Sequence, residues 1–210
     1  LNAVRKGLVR PEVILVPVFC LQAHTHITIN GQNATRNWGV YIDSGKVIQT
    51  TGGDISITGV GTGGLYLNGS LIAGDSQTTP TAGGKITING TATSNYAFQI
   101  AAGSLISYDD LSITGSSSGM RAGIITGAGT IKTTGPTGDI TINATSTSPA
   151  NWGLYIDSNR VIQAIAGNVI VGASGESGLY LNGQLVASND VANPTTGGAI
   201  TINASATTGY

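Results

Sequence analysis

Few side chains in this sequence are of types that do chemistry, and their spacing decides what they could do. His24 and His26 are the only histidines, two residues apart. An acid-base or metal role needs further ligands or a carboxylate partner, and none lies nearby in sequence, so both read as exposed. Cys20 is the only cysteine, which leaves no disulfide within the chain and no Cys/His metal spacing. Asp109-Asp110 is the only adjacent acidic pair. Successive strand residues point to opposite faces, so this pair reads as a solvated turn rather than a general acid/base couple. Asp43 recurs as Asp157, and Asp54 and Asp139 hold like places before an Ile-Thr/Ser-Ile run. Repetition suits turns, where Asp bonds its own backbone. No catalytic, cofactor or metal site is expected from this inventory, and the chain is not expected to be an enzyme.

The aromatic side chains are better candidates for contact. Tyr41, Tyr66, Tyr155 and Tyr180 each follow an aliphatic residue in strands such as Gly64-Leu65-Tyr66-Leu67. Alternation directs the aliphatic residues inward and the tyrosines outward, where an amphipathic ring can stack on a sugar or a partner side chain. A column of tyrosines that only stiffens the molecule is the other reading. Val40, Leu65, Ile124, Leu154 and Leu179 are expected to share the inner column, with Ile125 among the tyrosines and Gln99 replacing one of them. The triplets at Asn33, Asn68, Asn89, Asn143 and Asn203 match the Asn-x-Ser/Thr pattern of glycan acceptors, a pattern that an Asn-, Thr- and Ser-rich chain also generates by chance.

The elements that hold these residues are written as repeats. Ile27-Thr28-Ile29-Asn30 returns at Ile55, Ile86, Leu111, Ile140, Val169 and Ile200. One face of each copy is aliphatic, and the other is Thr, Ser or Asn in all but the copy at Val169, which is the pattern of a strand with one side in a core. Outward Thr28, Ser56, Thr87, Ser112, Thr141 and Thr201 could form a hydroxyl array for ice, but Ile170 and two serines interrupt it and Thr suits any exposed strand. A longer period overlies the short one. Asn37-Trp38-Gly39-Val40-Tyr41-Ile42-Asp43-Ser44 returns 114 positions later as Asn151-Trp152-Gly153-Leu154-Tyr155-Ile156-Asp157-Ser158. One block has been duplicated, and it holds about four units of three short strands each.

Units that return to the same pattern stack on their neighbours, which predicts an all-β, parallel β-helix of about six to seven coils rather than a sandwich. In register, Ile27, Ile55, Ile86, Leu111, Ile140, Val169 and Ile200 would form one internal column, and Ile29, Ile57, Ile88, Ile113, Ile142, Val171 and Ile202 a second. The short strand at Val47-Ile48, Leu71-Ile72, Leu105-Ile106, Val161-Ile162 and Leu185-Val186 is apolar at both positions and leaves its inward side open. Insertions from Asp75 to Ala82 and from Ser188 to Thr196 are expected at one corner of the stack.

Charged residues make up 9% of the chain and the formal net charge is -1. Helices with solvated charged faces are therefore unexpected, and so is nucleic acid as a partner, because basic residues do not outnumber acidic ones beyond the first positions. Residues 1–24 form a leader outside the repeats: a basic start, an apolar run from Val13 to Leu21, then Ala23. It reads as a signal-like segment, a terminal cap or non-native sequence. Residues 25–210 form the repeat region, which stops mid-coil at Thr208-Gly209-Tyr210, as a piece of a longer chain would.

The run Gly178-Leu179-Tyr180-Leu181-Asn182, with Gly197-Gly198-Ala199-Ile200-Thr201-Ile202-Asn203-Ala204, resembles the repeats of filamentous haemagglutinin-type adhesins exported by two-partner secretion in Gram-negative bacteria. The resemblance covers residues 25–210. It implies a right-handed parallel β-helix, passage through an outer-membrane transporter, and an adhesive shaft at the cell surface or secreted. The partner it implies is a surface glycan or protein on host or neighbouring cells. The alternative is a carbohydrate-active β-helix, a polysaccharide lyase or tailspike-type hydrolase, which would gather Asp43, Asp109, Asp110 or Asp157 in one groove.

Overall fold

The computed structural model describes residues 21–149, 151–190 and 192–207. The leader expected over residues 1–24 falls almost wholly outside these residues, as do Cys20 and the Thr208–Tyr210 end. The described chain is all-β and winds into a parallel β-helix of about six turns, in a 7-stranded and an 11-stranded sheet. Among the described residues every pairing between strands is parallel, and the one antiparallel contact is an isolated bridge between Ser188 and Gly197.

Each turn has three faces. The first carries the Ile-Thr-Ile strands: Ile86–Ala92, Leu111–Ser117, Ile140–Ser146, Val169–Gly175 and Ile200–Ala206. The second carries Phe98–Ile100, Gly123–Ile125, Leu154–Ile156 and Leu179–Leu181. In the first two turns one long strand serves both faces, Ile27–Ile42 and then Ile55–Leu67, which joins them into the larger sheet. The third face is the smaller sheet, running from Leu21–Ala23 through Val47–Thr50, Ser70–Ala73, Leu105–Ser107, Thr130–Thr133 and Val161–Ala164 to Gln184–Ala187.

The register on the first face is the one the repeats predict. Ile27 pairs in line with Ile55, Ile86, Leu111, Ile140, Val169 and Ile200, and Ile29 with the parallel series ending at Ile202. From Ile55 and Ile57 to Val169 and Val171 both columns are fully buried; the first rung opens in part, at Ile29, and the last opens most, with Ile200 48% and Ile202 46% exposed. Stacked aliphatics of successive coils fill the prism, so each coil's core is completed by its neighbours. On the third face Ile48, Leu71, Leu105, Ile131 and Ile162 point inward, which resolves the side that the sequence left open. Ile72 and Ile106 face outward yet are buried. The 75–82 insertion folds back on that side: Pro80 is buried, and its carbonyl accepts the Thr134 hydroxyl at 2.9 Å.

One alignment differs from expectation. Ile124, not Ile125, lies in line with Gln99 and Tyr155, while Ile125 joins the inner series of Ile100 and Ile156. Gly123 takes the inner place that Phe98 and Leu154 hold in adjacent turns. The Phe98 ring fills the space above it: a Cβ on Gly123 would collide with that ring and come within 2.8 Å of the Leu154 side chain. A large side chain in one turn thus requires none in the next.

Candidate functional site: two aromatic clusters on one face

The second face carries a single outward column: Tyr41, Tyr66, Gln99, Ile124, Tyr155, Tyr180. All six side chains are partly exposed. The four tyrosines therefore form two pairs rather than a continuous stack. Tyr41 and Tyr66 stack with centroids 4.8 Å apart and planes 7° from parallel; Tyr155 and Tyr180 stack at 4.5 Å and 4°. These separations equal the spacing of neighbouring strands, about 4.7–4.9 Å, so the rungs themselves bring the rings into contact.

A tryptophan flanks each pair. Trp38 lies 5.4 Å from Tyr66 and 6.4 Å from Tyr96. Trp152 meets Tyr180 edge-on at 5.5 Å. Trp38 is 8% exposed because it lies across the adjacent turn, where Gly63 makes room for its ring. The tryptophans were not singled out from the sequence as contact residues. The signal was present in the duplicated Asn-Trp-Gly, three residues ahead of each tyrosine.

A carboxylate completes each cluster. Asp43 and Asp157 follow Tyr41 and Tyr155 by two residues and so share their face. Partial burial pushes the Tyr41 phenol up from its ordinary value, and the nearby Asp43 charge, Tyr66 and a hydrogen bond to Asp43 push it further. Tyr155 is raised for the same reasons by burial, Asp157 and Tyr180, opposed by Arg121, whose guanidinium lies 5.2 Å from the centre of its ring. Both hydroxyls thus remain protonated donors across the physiological range. Each Asp also accepts the next residue's N–H, from Ser44 at 2.7 Å and Ser158 at 2.8 Å.

The other sequence candidates are held in structural roles. Asp54, Asp110 and Asp139 stand at one corner, with Lys85 in the turn between the first two, and each accepts a backbone N–H of the following turn: Lys85 at 3.0 Å, Asp139 at 3.0 Å and Asn168 at 2.7 Å. Asn168 continues the ladder to Ala199 at 2.8 Å. Asp54 and Asp139 therefore bond the next coil, not their own turn as sequence reading suggested. His26 begins the ladder: its Nδ1 accepts the Asp54 N–H at 3.0 Å, which places the proton of the neutral ring on Nε2. The Asp54 carboxylate lies 3.3 Å from the same nitrogen, so the carboxylate missing nearby in sequence is supplied one turn later. His24 contacts the Thr51 hydroxyl at 2.8 Å. Among the described residues no three His, Cys, Asp or Glu side chains gather where they could hold a metal ion. Of the Asn-x-Ser/Thr positions, Asn33 is buried, Asn68 is partly exposed, and Asn89, Asn143 and Asn203 are exposed.

The molecule is thus a parallel β-helical rod with two equivalent aromatic clusters, each backed by a carboxylate, on one of its faces. In comparisons with known proteins no family model matches the chain, and neither a curated protein nor a solved structure is significantly similar to it.

Proposed function

We propose that this chain is an adhesive shaft segment of a bacterial surface protein of the filamentous haemagglutinin type, exported through an outer-membrane transporter, that contacts glycans or proteins on host or neighbouring cells. The pair of Trp-Tyr-Tyr clusters carries this reading. Partly exposed phenol rings, each pair backed by an indole and beside a fixed carboxylate, offer stacking area and a hydrogen-bonding edge, the combination that holds a sugar ring. The surrounding rod is uncharged along its first face and lined with hydroxyls, which suits a structural spacer. A lyase or hydrolase reading draws less support, because of its four carboxylates Asp110 caps the Asp139 amide of the next turn, and Asp43 and Asp157 lie four turns apart.

A glycan array probed with the purified protein, paired with a reducing-sugar assay on the glycans retained, tests this directly. Binding without release of reducing ends, weakened when Tyr66 and Tyr180 are both changed to Ala, is the expected result. Absence of binding, or release of new reducing ends, would overturn it.

A further inference from the structure

The two clusters are related in a way that constrains what can occupy them together. The register places Tyr41 and Tyr155 four rungs apart in one outward column, and Tyr66 and Tyr180 likewise. At about 4.8 Å per rung the equivalent rings are separated by about 19 Å along the rod. Because every rung is parallel, the second cluster repeats the first by translation in its tyrosine order and in the positions of Trp and Asp, although Trp152 meets Tyr180 edge-on where Trp38 is tilted against Tyr66, and Arg121 flanks Tyr155. It is not inverted. A two-fold symmetric partner presents its contacts with opposite polarity and would match only one cluster at a time. A ligand that repeats by translation, with a direction along its length, matches both.

Between the clusters the column falls to Gln99 and Ile124, which carry no ring and no charge. Gln99 offers both donors and an acceptor to a passing hydroxylated chain. Asp43 and Asp157 place a carboxylate beside each cluster and the Arg121 guanidinium at Tyr155 offsets the second, so the pair of clusters offers no net positive charge to a carboxylated or sulfated ligand.

We propose that the two clusters are subsites for one linear, neutral polysaccharide chain lying along the rod and passing over Gln99 and Ile124. This rests on the glycan-binding reading above. Each cluster alone binds a short segment weakly, and tethering through the same chain makes the second contact intramolecular, which raises affinity by about tenfold or more.

The test titrates the protein by calorimetry with chitobiose, chitohexaose, cellobiose and cellohexaose. In the expected result a hexamer binds one per chain and at least about tenfold tighter than its dimer. Tyr66→Ala and Tyr155→Ala, each alone, then reduce hexamer affinity to the dimer level. Ile124→Glu, between the subsites, weakens the hexamer and spares the dimer. Equal affinities with two hexamers per chain, or a hexamer indifferent to Ile124→Glu, would overturn bridging while leaving glycan recognition standing. No binding of any of the four would overturn both. Thermal melts of each variant show that the rod is intact.

Discussion

Asp75 and Asn189 occupy the same place in the two copies of the block and close the same loop with different chemistry. Asp75 Oδ1 accepts the N–H groups of Thr81 at 2.8 Å and Ala82 at 3.2 Å. Asn189 Oδ1 accepts those of Thr195 at 3.0 Å and Thr196 at 3.1 Å. The next position is exchanged in the opposite sense: Ser76 Oγ lies 3.4 Å from the Thr78 nitrogen, whereas Asp190 Oδ1 accepts Ala192 N–H at 2.7 Å and Asn193 N–H at 2.9 Å. Each loop therefore has one titratable closure, at its neck in the first and near its tip in the second.

Acid should open the two loops at different points. The Thr81 hydroxyl, then the Thr81 and Ala82 amides, hold the Asp75 carboxyl below its ordinary value, and the Asn193 and Ala192 amides do the same for Asp190. A carboxyl depressed in the folded state contributes stability above its unfolded value, and that contribution is lost as pH falls through the folded one. Hydrogen exchange followed as pH falls below the ordinary carboxyl range should show faster opening at Thr81, Ala82, Ala192 and Asn193, while Thr195 and Thr196 keep their protection. Asp75→Asn should remove the acid sensitivity of the first loop. Equal loss at Thr195 and Thr196 would contradict the exchange of roles.

The aliphatic columns make a graded prediction at Ile142, which is fully buried between Ile113 and Val171. Ile142→Val should cost about 1 kcal/mol, since valine already serves in the next turn. Ile142→Asp should cost about 4 kcal/mol or more by placing an unpaired charge in the column, and should abolish cooperative melting. An unchanged melting temperature for the Asp variant would be incompatible with the stack.

The Phe98–Gly123 pair predicts coupling between turns. Phe98→Leu should cost about 1–2 kcal/mol by leaving a void, and Gly123→Ala a similar amount by crowding the ring. Together they should cost less than their sum by about 1 kcal/mol, because the shortened side chain vacates the space the methyl needs. Additive costs in a denaturant-melt cycle would show that the two residues do not share that space.

This pair also marks where sequence reading lost the register. Columns such as Ile55–Ile86–Leu111 were legible because each copy carries the same residue type at a period of two, and side-chain alternation does the rest. Gly123-Ile124-Ile125 has two adjacent aliphatics and no Tyr, so pattern alone could not choose between alignments; the choice is made by a Phe one turn away. The His26–Asp54 contact was hidden for a similar reason. Neighbours in a solenoid lie a full coil apart in sequence, so a search for partners nearby in the chain looks along the wrong axis. Trp38 and Trp152 were visible in the duplicated block, but their contact with tyrosines of the following turn depends on where the side chains reach, and Trp38 reaches over Gly63.

Arg160 supplies the last prediction, from a corner that glycine otherwise dominates. Successive turns there hold Lys46, Gly69, Gly103, Gly129, Arg160 and Gly183. The turn before it is again duplicated, with Gly45 at φ 70° and Asn159 at φ 65° supplying the left-handed residue. Arg160 is fully buried, its Nη1 donates to the Gly103 carbonyl at 3.3 Å, and its Nε and Nη2 have no partner. Burial holds its pKa down to about 10. A cation depressed in the folded state costs stability throughout the range below that value, here on the order of 3 kcal/mol, and the cost is relieved only as pH rises past it. Arg160→Met keeps most of the volume and removes the charge along with both unpaired donors, so it should raise stability by about 1–3 kcal/mol at neutral pH. Lys46→Met, at the equivalent but partly exposed position, removes no fully buried charge and should bring no comparable gain. The gain at Arg160 should shrink when the melts are repeated above pH 10, because the wild-type guanidinium is then losing its charge. An Arg160→Met variant less stable than wild type at neutral pH would mean that the hydrogen bond to Gly103 outweighs the desolvation it requires.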